Sequence, residues 1–293
     1  MNFKEVKTDC HHFRTTIPCA PNKKEGVICS DCSHYRPISK RILIIKLGAL
    51  GDVIRTTPLV VKYKALYPDA HFTWITQSPA VLPTDEIQQI LKWDATSIYI
   101  IENSKYDIAI NLDKEQEACS LLKNVNAKEK YGYTWGDFAI APAAEHKLMT
   151  GFFDSISLEN KKSYLEEIFE ICHFSFDQEP YLINKNEKLV ALWADKWNRL
   201  SEGKKIVGLN TGCGPRWNTR LWTNEEWIAL AEKLMKEGYY PVFLGGALEH
   251  EKNLKFASET GAHYPGHFSL EEFIALTDGC DYIVTQVSMM MHI

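Results

Sequence analysis

The sequence predicts an α/β protein with two domains, and three observations support this. Residues 42–45 and 205–210 are short, mainly apolar runs, which are typical of strands in a parallel sheet that is covered on both faces. Segments with apolar residues at helical spacing follow each run, so strands and helices alternate twice along the chain. The chain has 293 residues, the length of about two ordinary domains.

The first domain is expected to cover residues 41–182 and to begin with the strand at 42–45. Val53, Leu59, Val60 and Leu66 then share one helical face, with Pro58 close to the helix start, where proline is tolerated. Composition and periodicity predict the other elements: strands at 71–76, 97–101 and 107–112, a short helix at 87–91, a loop at 131–136 and an amphipathic helix at 163–172.

The second domain is expected to cover residues 183–293. The pattern predicts helices at 189–200, 227–236 and 270–276, and strands at 205–210, 240–244 and 282–285. Ser288 then provides a good helix cap, but the sequence stops about one turn later at Ile293. Because a doubly wound domain normally continues beyond this point, we expect the second domain to be incomplete at its C-terminus.

Composition excludes several functional classes. The 33 lysines and arginines against 38 aspartates and glutamates leave a formal net charge of -5, so no general attraction to nucleic acid or to an anionic membrane is expected. No apolar run approaches the roughly 20 residues that cross a bilayer, and residues 1–10 carry charges where a signal peptide is apolar. The sequence therefore predicts a cytoplasmic protein with reduced cysteines or a metal site.

A glycine-containing turn at residues 48–52 follows the first strand, in the position where open α/β sheets bind ligands. Its spacing matches neither the dinucleotide-binding fingerprint nor a P-loop, so a nicotinamide enzyme is not expected. Gly48 and Gly51 would let a sugar approach the backbone. Asp52 is placed either to accept a proton or only to cap the following helix.

Residues 42–58 resemble the opening of the heptosyltransferase-type glycosyltransferases of family 9. The shared pattern is an apolar strand, a Gly-Asp-Val turn at residues 51–53 and a Thr-x-Pro helix start at residues 56–58. The resemblance extends from about residue 41 to Ile293. It implies a GT-B architecture, in which two Rossmann-like domains face a cleft. The first domain would bind the acceptor, and the second would bind the nucleotide sugar. It also implies that Asp52 is the catalytic base.

The resemblance implies an inverting sugar transfer that uses no metal in the chemical step. The donor would be a nucleoside-diphosphate sugar of the ADP-heptose type. The acceptor would be lipopolysaccharide or a related glycolipid or polysaccharide, reached by peripheral contact with the inner membrane face. Two alternatives remain: a nucleotide-sugar epimerase or hydrolase of the same fold, and a non-catalytic nucleotide-sugar-binding module.

The start of the second domain contains candidate donor-binding residues. Thr211 and Gly212 lie in a turn after a strand, where free backbone N–H groups can bind an anion, and Arg216 and Arg220 follow in the same loop. Residues 220–222 resemble the family's basic-x-Trp element, which implies that Arg220 contacts the donor phosphate. The alternative is a surface arginine.

Two later motifs complete the predicted donor site. Gly245, Gly246 and Glu249 resemble the family's Gly-Gly-x-x-Glu loop, which implies that Glu249 binds the ribose hydroxyls; a solvated helix start is the alternative. Residues 285–292 occupy the position of the family's Asp-Thr/Ser-Gly-x-x-His motif. Ser288 and His292 are retained there, whereas Val287 and Met289 replace the aspartate and the glycine.

Residues 1–40 form a cysteine-rich arm with little aliphatic periodicity. Its four cysteines have the spacing C-x8-C-x9-C-x2-C, and they are Cys10, Cys19, Cys29 and Cys32. A segment without a core of its own needs a covalent or metal staple, so a structural zinc ion bound by these cysteines is the favoured prediction. Free thiols and an iron–sulfur cluster are the alternatives.

Overall fold

The computed structural model describes residues 2–136, 140–141, 145–213 and 221–293. Contacts divide the chain into two units. The first contains Met1–Leu47, Thr56–Pro79 and Thr84–Pro180, and the second contains Gly48–Arg55, Ala80–Pro83 and Tyr181–Ile293. The second unit therefore includes the glycine-containing turn and Asp52, which the sequence places within the first domain.

The cysteine arm is bound to the rest of the first unit through the turn at Asp69. Among its described residues the arm contains one α-helix, α1 (Ala20–Glu25), which ends at Gly26 in the left-handed conformation. Asp69 accepts a hydrogen bond from Arg36 Nε at 2.6 Å through its carboxylate, and its carbonyl lies 3.0 Å from His11 Nε2. These polar contacts, rather than an extensive apolar core, fix the position of the arm.

A parallel sheet forms the centre of the first unit. Its strands, in the spatial order β3-β2-β1-β4-β5, are β1 (Lys40–Ile45), β2 (Ala70–Thr76), β3 (Gln89–Lys92), β4 (Lys105–Asn111) and β5 (Asn126–Gly132). Within β1, Ile44 is fully buried and aligned with Trp74 of β2 and Ile110 of β4. The apolar run therefore forms the middle strand, as expected for a strand covered on both faces.

Helices connect and cover these strands. In chain order, they are α2 (Leu50–Thr56), α3 (Pro58–Leu66), α4 (Ala95–Glu102), α5 (Gln116–Asn124), α6 (Glu145–Phe152), α7 (Asp154–Glu159) and α8 (Tyr164–Ile171). The single helical face predicted across residues 53–66 is divided between α2 and α3. Pro58 causes this division, since proline starts α3 and has no backbone N–H to continue the helical hydrogen-bond ladder from α2.

Three predictions for the first domain were wrong. Residues 97–101 are not a strand but part of α4, because the Asp94 carboxylate accepts a hydrogen bond from Ser97 N at 2.8 Å and caps a helix there. Residues 87–91 are not a helix, because residues 89–92 pair with β2 as strand β3. The predicted loop at 131–136 contains the end of β5 and strand β6 (Thr134–Trp135), which pairs with β7 (Ile140–Ala141).

The second unit is built around a smaller parallel sheet with the strand order β10-β8-β9. Its strands are β8 (Ile206–Asn210), β9 (Tyr240–Leu244) and β10 (Tyr282–Thr285), and its further helices are α9 (Glu187–Ser201), α10 (Asn224–Lys236), α11 (His250–Thr260) and α12 (Leu270–Asp278). The strands confirm the sequence prediction, whereas α11 was not predicted. Trp193 and Trp197 of α9 pack on one face of the sheet, and Trp227 of α10 packs on the other.

In the ranges that the structure describes, each helix is too short or too polar to cross a lipid bilayer.

A buried ion pair lies at the carboxyl end of the first sheet. The Lys46 ammonium donates to Asp113, and the same carboxylate accepts the backbone N–H of Leu47. Both charged side chains are only 5% exposed. Burial raises the pKa of Asp113, and the attraction of Lys46 opposes this shift.

We expect Asp113→Ala to lower the free energy of unfolding by about 3–5 kcal/mol, because it leaves the Lys46 charge buried without its carboxylate. Urea unfolding at neutral pH measures the change. Lys128→Ala, which breaks an exposed pair with Asp107, is the control and should cost at most about 1 kcal/mol. An equal loss in the two variants would contradict the argument from burial.

Candidate active site

A cavity of about 960 Å³ lies within the second unit. Its walls come from the segment Gly48–Arg55 and from the chain beyond the carboxyl ends of β8, β9 and β10, where parallel sheets commonly bind ligands. Eight residues predicted from the sequence line it: Gly51, Asp52, Gly212, Gly245, Gly246, Glu249, Ser288 and His292. Gly48 and Thr211 are not among the lining residues, and Arg216 and Arg220 lie outside the described residues.

Asp52 is the third residue of α2 and lies in its first helical turn. Since the helix begins at Leu50, Asp52 is not at the N-cap position that the capping alternative requires. Its Oδ1 atom accepts a charged hydrogen bond from Arg55 Nη2 at 2.7 Å. The carboxylate is about one-third exposed, at 34%, and lines the cavity, so a hydroxyl group in the cavity can reach it.

His292 lies against the turn that precedes Asp52. A β-carbon added to Gly51 would lie 3.1 Å from His292 Cδ2, so a larger residue there would displace the imidazole by a few tenths of an ångström. Burial lowers the pKa of His292, Arg55 lowers it further, and Asp52 opposes the shift. The ring is therefore neutral at neutral pH, and its buried Nδ1 has no hydrogen-bond partner among the described residues.

The amide of Asn210 joins the ends of two neighbouring strands. Its Nδ2 atom lies 3.0 Å from the Gly212 carbonyl, 3.0 Å from Thr285 Oγ1 and 3.0 Å from Ser288 Oγ. Ser288 also accepts the N–H of Met290 at 3.2 Å and so caps the following short helix, as predicted. Asn210 therefore fixes the turns after β8 and β10 relative to each other.

Glu249 is held by the glycine-rich turn after β9. Its Oε2 atom accepts the backbone N–H of Gly246 at 3.0 Å. A β-carbon at Gly212 would overlap the Glu249 carboxylate, so glycine at this position is necessary for the carboxylate to lie where it does. This bond closes a capping box at the short helical turn Ala247–Glu249, and the same carboxylate lines the cavity, so the structure leaves both the binding role and the helix-start role open to Glu249.

Thr211 lies beneath the cavity instead of lining it. It is fully buried, and its hydroxyl donates to Asn253 Oδ1 at 2.7 Å. Lys252 Nζ donates to the Thr211 carbonyl at 2.9 Å, and burial lowers the pKa of Lys252. Thr211 thus orients the turn through Asn253 and Lys252, two residues that sequence reasoning missed because they belong to the unpredicted helix α11.

The methionine run after Ser288 has two different environments. Met290 is 5% exposed and packs in the core beside Trp193 and Trp197, whereas Met291 is 56% exposed. Val287, which replaces the family's aspartate, is 44% exposed and lines the cavity together with Met289. The two departures from the family motif therefore make this wall of the cavity apolar.

Comparison with known proteins identifies the family. The sequence model described as glycosyltransferase family 9 (heptosyltransferase) matches residues 100–293, which is more than half of the chain. This chain belongs to glycosyltransferase family 9. The match confirms the family and the enzyme class that the sequence predicted, and it favours neither the epimerase or hydrolase nor the binding module.

The individual proteins that resemble this chain have low sequence identity to it. The chain is 28% identical to lipopolysaccharide heptosyltransferase 2 of Salmonella typhimurium over 32% of this chain, and the match spans only 29% of that relative. A family 9 glycosyltransferase from Veillonella parvula has a similar structure, with a TM-score of 0.68, 20% identity and coverage of 87% of this chain and 77% of that chain. E. coli heptosyltransferase WaaC with ADP-2-deoxy-2-fluoro heptose gives a TM-score of 0.62, 16% identity and coverage of 86% and 84%. These structures confirm the predicted α/β fold with Rossmann-like domains.

The zinc site predicted in the cysteine arm is not formed by the described residues. Among them, no group of three or more His, Cys, Asp or Glu side chains could hold a metal ion, although all four arm cysteines are described. The four thiols are free of disulfide bonds and line one cavity in the first unit. The four cysteines therefore line one cavity without forming a recognised group of metal ligands among the described residues.

We expect Asn210→Ala to lower the free energy of unfolding of the second unit by about 1–3 kcal/mol, because three oxygen atoms lose their shared donor. Urea unfolding measures the change. Asn224→Ala, at an exposed position in α10, should change stability by less than about 0.5 kcal/mol; a similar change in both variants would refute the role of Asn210.

Proposed function

We propose that this protein transfers a sugar, heptose, from an ADP-heptose-type donor to lipopolysaccharide or a related surface glycan, with inversion at the anomeric carbon. The observation that carries the proposal is the position of Asp52. Its carboxylate lines the same cavity as the glycine-rich strand ends and Glu249. Membership of glycosyltransferase family 9 supports the sugar-transfer chemistry.

Asp52 acts as the general base in the proposed reaction. An acceptor hydroxyl donates its proton to the carboxylate while its oxygen attacks the anomeric carbon of the donor. The bond from that carbon to the phosphate oxygen breaks, and the electron pair leaves with the nucleoside diphosphate. Arg55 binds one carboxylate oxygen at 2.7 Å and so orients the group, leaving the proton to be taken by the other oxygen.

The donor is held by groups that suit a nucleoside diphosphate. Glu249 accepts hydrogen bonds from the ribose hydroxyls, and Gly245 and Gly246 let the sugar approach the backbone. The turn that begins at Ser288 meets the diphosphate with backbone N–H groups, and neutral His292 adds a ring N–H donor. We assign Arg220 to the leaving phosphate from its family motif alone.

The proposed transfer requires no metal ion, since the diphosphate charge is met by these donors and by arginine. The arm cysteines belong to the first unit, and every residue that lines the cavity belongs to the second. We place the reaction in the cytoplasm, with the glycolipid acceptor presented at the inner face of the membrane.

The test is incubation of the purified protein with ADP-heptose and a heptose-acceptor lipopolysaccharide, followed by mass spectrometry of the glycan and measurement of ADP release. Asp52→Asn should lower kcat by about 100-fold or more and leave donor affinity within a few-fold, because it keeps the shape of the side chain but removes its basicity. Asp195→Asn, on an exposed face of α9, is the matched control and should retain full activity.

Three results would overturn the proposal. ADP release that does not depend on the acceptor would indicate a hydrolase, and nucleotide binding without turnover would indicate a binding module. Equal turnover by the Asp52→Asn variant and the parent protein would remove Asp52 from the reaction even if transfer occurs.

Glu249→Gln tests donor binding separately. We expect ADP affinity to fall by about tenfold, because a neutral amide replaces the charged acceptor of the ribose hydroxyls. Isothermal titration with ADP measures this effect. Glu251→Gln, two residues away and exposed, should bind ADP as the parent protein does. Unchanged affinity in the Glu249 variant would show that this carboxylate does not contact the nucleotide.

A further inference from the structure

The arm carries a net charge opposite in sign to that of the rest of the chain. Residues 1–40 contain seven lysines and arginines against four aspartates and glutamates, which gives a formal net charge of +3. Residues 41–293 contain 26 against 34, which gives -8. An anionic surface therefore attracts the arm and repels the rest of the chain.

The arm also contains a mainly apolar cavity of about 170 Å³. Phe13, Ile17 and Ile28 are among its lining residues, and both isoleucines are exposed to solvent. The cysteines in its wall have free thiols, and a free cysteine packs as a small apolar residue. Exposed apolar side chains that are grouped around a cavity, rather than scattered singly, indicate an interaction site.

The cavity is lined by basic residues but not by acidic ones. Lys7 and Arg14 line it, and none of its described lining residues is an aspartate or a glutamate. Lys23 and Lys24 are exposed and directly follow residues 21–22 of α1, which lie in the cavity wall. Apolar and basic side chains therefore occur together at this site, a combination that matches the acyl chains and anionic headgroups of a lipid bilayer.

The contacts that hold the arm on the first unit involve other residues. His11 Nε2 lies 3.0 Å from the Asp69 carbonyl, and Arg36 Nε donates to the Asp69 carboxylate at 2.6 Å. Neither His11 nor Arg36 lines the cavity, and its described lining residues all lie within residues 6–35. The arm can therefore keep these contacts while the cavity surface binds a partner.

We propose that the arm binds the surface of an anionic phospholipid bilayer. Ile17 and Ile28 enter the outer part of the acyl region, and Lys7 and Arg14 meet the headgroup phosphates, since such side chains keep their charge in the polar layer while their stems lie along apolar surface. The purpose of this contact, access to a glycolipid acceptor, rests on the proposed function. Vesicle binding is measured without sugar transfer, so the two proposals can fail separately.

Co-sedimentation of the full chain with vesicles tests the proposal. Vesicles of phosphatidylglycerol and phosphatidylcholine in equal parts are compared with vesicles of phosphatidylcholine alone. At low salt we expect binding to the anionic vesicles to be tighter by about tenfold or more, because their negative surface potential attracts the basic side chains. Added salt should weaken this binding by screening the charges. Equal binding to the two kinds of vesicle, or binding to neither, would overturn the proposal.

A pair of charge variants tests whether the arm is the surface that binds. Lys23→Gln with Lys24→Gln should weaken binding to the anionic vesicles by about tenfold, because two charges near the headgroups are lost. Lys161→Gln with Lys162→Gln is the matched control, since it removes the same charge from exposed positions outside the arm. The control should bind as the parent protein does, and an equal loss in the two variants would contradict a local role for the arm.

A second pair of variants tests the apolar contact. Ile17→Ser should weaken binding by about fivefold, because an apolar side chain no longer leaves water when the vesicle is bound. Leu158→Ser, at an exposed position of α7, is its control and should leave binding unchanged. Circular dichroism checks that all variants are folded. Binding that is lost with Leu158→Ser and retained by both arm variants would refute the assignment to the arm.

Discussion

The side-chain amide of Asn210 is the contact on which the candidate site most depends. Strands β8 and β10 end side by side, and the turns that follow them meet at this side chain. One amide nitrogen lies 3.0 Å from acceptors in both turns, at Gly212, Thr285 and Ser288. Because Asn210 is nearly buried, each of these contacts is formed where water competes weakly. The positions of Gly212 and Ser288 therefore follow from one side chain.

Much of the fold was predictable because buried parallel strands have a strong composition signal. The runs at 42–45 and 240–244 are strands in the structure, and the helix predicted at 163–172 is α8 with the Ser163 cap. The wrong predictions lie where the local composition favours one secondary structure and a helix cap or a paired strand imposes another. Four of the five residues at 97–101 are β-branched or aromatic, yet the Asp94 cap makes the segment helical. Residues 89–92 form a strand because β2 pairs with them.

The site was predictable to the extent that it consists of glycines and carboxylates in turns. Asp52, Gly212 and Glu249 were identified from such turns, and all three line the cavity. Asn210 and Arg55 were missed, since neither residue type is distinctive at the end of a strand or within a helix. Cysteine spacing predicted a zinc ion in the arm, whereas the described residues hold no group of three or more ligands that could bind a metal ion. The positions of side chains in space, which sequence does not contain, decide this point.

The division of the chain has a consequence for recombination within this family. Gly48–Arg55 groups with the second unit, although the chain returns to the first unit on either side of it. A chimera with one crossover at Pro180 would therefore combine Asp52 from one parent with Glu249 and His292 from the other. The contact between Gly51 and His292 would then join residues of different ancestry. Exchange of the residues that line this cavity between family members accordingly requires two transplanted segments, and Gly48–Arg55 is one of them.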